Sequence, residues 1–281
     1  MFECKKLLLS ILLPLVLLGA GGVIAAPQAE YWSLWDKSNE ANVSVIDHSL
    51  WDSLLARYAV AEDEEGIVTF RYGDMDAQAH KQLDQYIDKL EHIEPRSYPK
   101  LEQKAFWMNL YNALTVQAVT ENFSALKKVD FSEPLAPEVW SQKRVKIAGE
   151  KLSLNDIQHR ILRPIWKDHR VLFGLNCATR DCPNLSPRAY TALNIKDQLS
   201  AAGQRFINNN TGLVYSNGVL HASRLFSEYM TDFAADEKTL TKVFAHYARD
   251  MKALYVLGYT GVIDFTTDSR LNMPSYVGSK P

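Results

Sequence analysis

Over the first half of the chain the apolar positions recur mostly at helical spacing. Leu50, Trp51, Leu54, Leu55 and Tyr58 share one face behind Asp47, a residue type suited to capping, and predict a helix. Leu83, Tyr86, Ile87 and Leu90 predict a second, opened by Asp74 or Asp76, with His80 and His92 on its solvated side. Residues 66–70 between them read as a strand. Ser97-Tyr98-Pro99 starts a third helix running to about Phe123. That helix is apolar over most of its circumference and is expected to be central and buried. Asn109 and Asn112 project from one side of it, and Trp107 and Tyr111 from another. Buried asparagines must find partners. Either they satisfy loop backbone, or they orient a site residue or bind substrate.

The second half alternates faster. Residues 130–140, with Pro134 and Pro137, read as a loop, and a hairpin turns at Gly149-Glu150. Ser153, with Asp156 three residues on, starts a short helix that carries His159 and that Pro164 ends. Val171, Leu172, Phe173 and Leu175 read as a buried strand leading into Asn176 and Cys177. Residues 195–207 predict an amphipathic helix, and Asn217-Gly218 between two β-prone runs predicts a type I′ hairpin. Helices near 226–233 and 236–257 and a strand at 261–265 complete the pattern. The mixture predicts an α+β fold: a single domain over 41–272, its central buried helix packed on short, mostly antiparallel strands and hairpins, then a polar tail at 273–281.

The N-terminus follows a different rule. Lys5 and Lys6 precede an apolar run, and small residues lead to Ala25 and Ala26. This is the pattern of a secretory signal peptide over residues 1–25, so the chain is expected to be exported, to the periplasm in a Gram-negative cell. The runner-up is an uncleaved anchor, since residues 7–26 are about as long as a bilayer span. The formal charge of −2 becomes −3 once Glu3, Lys5 and Lys6 are removed, and 47% of residues are apolar. That balance, with no Lys/Arg cluster on a helix face, argues against a nucleic-acid partner. No membrane contact is expected beyond the signal segment.

Chemistry concentrates around Cys177 and Cys182, the two cysteines left after the signal. Three readings stay open. Cys177 is a nucleophile, with His159 as base and Asn109, Asn112 or Asp268 fixing the imidazole; Arg170 and Arg180 would favour its thiolate. Alternatively the pair is a disulfide, the usual outcome in an oxidising compartment, and closing so short a loop contributes roughly 2 kcal/mol. Third, His159, Cys177 and Cys182 bind zinc, although His169 is the nearest fourth ligand and precedes the run. Phosphate-loop, H-E-x-x-H and G-x-S-x-G motifs are absent from the sequence, and no cofactor is expected. The acidic run Glu62-Asp63-Glu64-Glu65 reads as a solvated turn.

Ala105-Phe-Trp-Met-Asn109-Leu-Tyr111-Asn112-Ala, Ser153-Leu-Asn-Asp-Ile-Gln-His159 with Ile161-Leu-Arg-Pro164, and Leu175-Asn-Cys177-Ala-Thr-Arg-Asp-Cys182-Pro-Asn-Leu185 together resemble the domain of unknown function 547. Glu228-Tyr-Met-Thr-Asp232-Phe and Asp268-Ser-Arg-Leu-Asn272 extend the resemblance. It implies exported bacterial proteins and no established activity. Two positions depart from the family pattern: Leu172 where a His is frequent, which weakens the zinc reading, and Gln158 where a Glu is usual. The expectation is a cleft holding Cys177, His159, Asn109 and Asn112, with Tyr111, Arg170, Arg180 and Asp268 as binding residues. It would perform thiol-based hydrolysis or acyl transfer on a peptide or amide. The alternative is a non-catalytic interaction module stapled by Cys177–Cys182, with a peptide or cell-envelope component as partner.

Overall fold

The computed structural model describes residues 26–60, 67–132 and 134–274. The expected signal segment 1–25, the acidic run and most of the polar tail lie outside the described residues. Among the described residues no helix is long and apolar enough to cross a membrane.

Helices α1 (Ser49–Tyr58) and α2 (Ala77–Glu91) form where the spacing predicts them. Asp47 Oδ1 accepts from Ser49 N at 3.0 Å, and Asp76 caps α2 by accepting from Ala79 N at 2.8 Å. The strand between them shrinks to β2 (Thr69–Phe70), paired antiparallel with β1 (Ala59–Val60). Helix α3 (Lys100–Lys128) is the central element, buried without interruption from Glu102 to Val116. The stretch expected as a loop contains a short helix, α4 (Pro137–Ser141), because Pro137 sits in its first turn, where the missing N–H costs nothing. Strands β3 (Val145–Ile147) and β4 (Glu150–Leu152) form the expected hairpin.

Ser153 and Asp156 cap each other as predicted, but the helix that follows is π-wound over Asp156–Leu162. It continues directly into α5 (Arg163–Trp166), so Pro164 does not end it. Residues 170–174 form a helix, α6 (Arg170–Gly174), not a strand. A short apolar run buried on all sides has no period to separate the two, and Asp168 Oδ1 caps this one through Arg170 N at 3.1 Å. Helix α7 (Ile195–Asn208) packs on α6.

The C-terminal part holds a three-stranded sheet, β5 (Leu213–Ser216), β6 (Val219–Ser223) and β7 (Ile263–Thr266). Asn217 and Gly218 carry φ of 51° and 84°, as the type I′ turn between β5 and β6 requires. β7 lies parallel to β6, and the connection between them contains α8 (Arg224–Glu228), α9 (Met230–Phe233), α10 (Glu237–Tyr247) and α11 (Asp250–Leu257). The fold is α+β, with its other strand pairs antiparallel.

Two apolar clusters fill the interior. The larger surrounds α3, and the smaller is an aromatic group around Phe173, Phe206, Phe226 and Phe244. They share α6: Val171 and Leu175 face the first, Leu172 and Phe173 the second. The cores are therefore joined through the helix that carries Cys177 at its exit. Trp35 and Met273, just outside 41–272, are buried as well.

Candidate functional site

The two asparagines of α3 brace backbone. Asn109 clasps Tyr190, donating to its carbonyl at 2.7 Å and accepting its N–H at 2.9 Å. Asn112 donates to Gly174 O and accepts from Asn176 N, both at 2.9 Å. Neither side chain lines the cavity described below. Asn112 instead fixes the exit of α6, the point where the chain turns toward Cys177.

From Asn176 the chain makes a tight loop. Ala178 has a φ of 65°, and its N–H is accepted by Asn176 Oδ1 at 2.8 Å. The loop is closed by a disulfide between Cys177 and Cys182, with Cα atoms 5.9 Å apart. Thr179 Oγ1 stands 3.2 Å from Cys177 Sγ, 3.5 Å from Cys182 Sγ and 2.6 Å from Asp181 Oδ1. Asp181 is only 3% exposed. Its other oxygen accepts from Thr267 Oγ1 at 2.8 Å and Asp268 N at 3.1 Å, and faces Arg224 Nε at 2.9 Å.

The disulfide lies in the wall of a cavity of about 280 Å³. His159, Gln158, Tyr111, Tyr229, Arg224 and Glu228 line it too. Cys177 is half-buried, and Cys182 is buried more deeply. Gln158 ties the floor together, accepting from Tyr111 OH at 3.0 Å and donating to Tyr229 OH at 2.9 Å. Burial holds both phenols neutral, Tyr229 at about 12. Glu228 has its carboxyl pKa raised by burial, against the opposing pull of Arg224.

His159 and Cys177 therefore share a cavity, as expected, but the imidazole is not set up as a base. Arg163 Nη1 lies 2.8 Å from His159 Nδ1. A guanidinium only donates, so Nδ1 must accept and the ring proton sits on Nε2. Burial, reinforced by the Arg163 charge, lowers the pKa to about 3. Arg163 is itself held by both oxygens of Asp232. His159 is a neutral donor in this cavity.

The expected binding residues divide. Tyr111 lines the cavity; Arg170, Arg180 and Asp268 do not. The Arg170 guanidinium is bound to both oxygens of Asp168, each at 2.9 Å, at the opposite end of α6 from Cys177. Arg180 donates its backbone N–H to Arg270 O, and the Asp268 carboxylate accepts from Arg270. Arg170, held by Asp168 at the far end of α6, is not placed to favour a Cys177 thiolate as expected. The zinc set also changes. Among the described residues the donor atoms that gather within 4.8 Å are those of Cys177, Asp181 and Cys182, without His159. Asp181 already has its oxygens occupied, and His169 bonds Tyr247 OH at 3.0 Å.

Residues 95–207 match the family described as Protein of unknown function, DUF547. The DUF547 match covers α3, the π-helix, α6, the cysteine loop and α7. It stops before Arg224, Glu228 and Tyr229, so this family segment supplies one side of the cavity and the C-terminal part the other. No curated protein and no solved structure matches the chain.

Sequence reasoning missed Thr179, Asp181, Arg163, Arg224 and Glu228. A hydroxyl and a carboxylate between two cysteines, and an Arg four residues after a helical His, were legible signals. Arg224 and Glu228 come from a distant element; Glu228 opens a motif of the resemblance but had no role read for it, and nothing in the sequence singles out Arg224.

Proposed function

We propose that this is an exported thiol–disulfide protein whose cavity presents Cys177 to an incoming thiol, with Cys182 as the resolving partner. The observation that carries the reading is the single hydroxyl, Thr179 Oγ1, that reaches both sulfurs and the buried carboxylate of Asp181. The pairing Cys177–Cys182 and the difference in burial between the two residues support it. A substrate thiolate attacks Cys177 Sγ; the new S–S bond forms as the bond to Cys182 breaks, and Cys182 leaves as thiolate. A second substrate thiolate then displaces Cys177, so the substrate dithiol is oxidised and the protein pair reduced. In the reduced pair a cysteine S–H can donate to Thr179 Oγ1, whose own proton points to Asp181, which gives the thiol proton a path out. Export belongs to this reading, because an accessible disulfide persists in an oxidising compartment.

Equilibration with reduced and oxidised glutathione, followed by mass analysis after alkylation, tests it. Reversible interconversion under native conditions, with a mixed disulfide trapped at Cys177 in the Cys182→Ser variant, is the expected result. A pair that reacts only after denaturation is a structural staple, and the reading fails.

A second reading, acyl transfer by reduced Cys177, is favoured by the shared cavity with His159. There His159 would hold the substrate carbonyl through Nε2–H and could not serve as the base.

A further inference from the structure

The segment before the first core residue, Trp35, lies along the cavity as a peptide would. Ala26 N donates to Glu228 O at 3.0 Å, and Pro27 O accepts from Arg163 Nη1 at 2.6 Å. Glu30 N donates to His159 O at 2.9 Å and Trp32 N to Arg160 O at 3.2 Å. Pro27 is part of the cavity wall, as are His159 and Glu228. All four hydrogen bonds use main-chain atoms of residues 26–32.

The receiving edge has a specific cause. Within this helix the N–H of residue 164 would serve His159 O in π winding and Arg160 O in α winding. Residue 164 is proline and has no N–H. Arg163 N–H bonds Gln158 O, so the winding here is π, and Pro164 withholds the donor that His159 O would otherwise receive; Glu30 N takes that place. Donors two residues apart, Glu30 N and Trp32 N, meet the carbonyls of two successive residues of the helix, so the contact is made by main chain on both sides. Arg163 adds the complementary element, a buried donor aimed at a main-chain carbonyl.

We infer that the π-helix edge with Arg163 and Glu228 O is a binding site for extended polypeptide main chain, and that residues 26–32 are its built-in occupant. This deepens the thiol–disulfide reading by naming the substrate class: a cysteine-bearing polypeptide that takes over part of the edge and lays its thiol in the cavity beside Cys177. Two side chains of residues 26–32 add to these main-chain contacts, both at Arg160: its guanidinium covers Trp32 at 4.2 Å from the ring centroid, and its Nε lies 3.4 Å from Glu30 Oε2.

The test uses the mature chain from Ala26, a chain starting at Ser33, and a fluorescein-labelled synthetic peptide of residues 26–32. Anisotropy is measured with the disulfide intact, so a failure of thiol exchange leaves this result unaffected. The shortened chain should bind the peptide saturably. The mature chain should bind about a hundredfold more weakly, since its tethered segment competes at an effective concentration on the order of mM. N-methylation of the peptide at Glu30 and Trp32 should abolish binding, while Gln28→Ala in the peptide should not. If the shortened chain does not fold, Glu30→Pro in the mature chain, which removes one N–H donor, should expose the site to the peptide. Equal binding by the mature and shortened chains, or indifference to N-methylation, would overturn the inference.

Discussion

At His159 the Arg163 guanidinium occupies Nδ1 and leaves the proton on Nε2, so the residue donates and does not accept in the cavity. Its pKa of about 3 and that of His48, about 4, both lie below the ordinary value of 6.5. The unfolded chain therefore binds more protons between those values. Stability is full above about pH 6.5 and declines as pH falls toward 3; urea titrations at pH 7, 5 and 4 should give midpoints decreasing in that order. Asp181 makes the corresponding statement for the sulfurs. Asp181→Asn keeps the shape but removes the proton acceptor, and should slow glutathione exchange by about ten- to a hundredfold, within the range of general acid–base effects. Thr179→Val should slow it comparably, measured by stopped alkylation across pH 6 to 9. Unchanged rates in both variants would remove the relay from the account.

Elements were legible where local signals were strong. Asp76, the Ser153/Asp156 cap and Asn217-Gly218 each fix a backbone geometry through their own side chains or freedom of φ, so α2, the π-helix start and the β5–β6 hairpin were readable. Helix α6 was not, because Val171, Leu172, Phe173 and Leu175 are buried against two different clusters and show no period. Pro164 was read as a stop; its effect is instead to withhold one N–H inside a continuing helix. Asn109 and Asn112 were legible as polar groups needing partners, and loop backbone proved to be those partners. Asn112→Ala leaves Gly174 O and Asn176 N unpaired in the core and should cost about 2–4 kcal/mol in urea unfolding. A cost below about 1 kcal/mol would mean the loop finds other partners.

The whole molecule places the cysteine loop where its two cores meet. Cys177 follows the helix shared by both clusters, Asp181 ties the loop to Thr267, Asp268 and Arg224, and Asn272 N reaches Ala178 O at 2.8 Å. In the thiol–disulfide account, redox change in the pair would be felt at the contacts between the DUF547 segment and the C-terminal part. Of these long-range partners the sequence singled out Asp268 and Asn272, but not their contacts, since only folding brings residues 26–32, 177–182, 224–229 and 267–272 together. Reducing the disulfide reopens a short loop and should lower stability by about 2 kcal/mol, read as a smaller urea midpoint in dithiothreitol. The most direct test of the thiol–disulfide account is a native glutathione redox titration with site-resolved alkylation. The account predicts a reversible two-electron transition in which Cys177 of the reduced protein alkylates before Cys182. A pair that stays oxidised across the whole titration, or in which Cys182 reacts first, would contradict it.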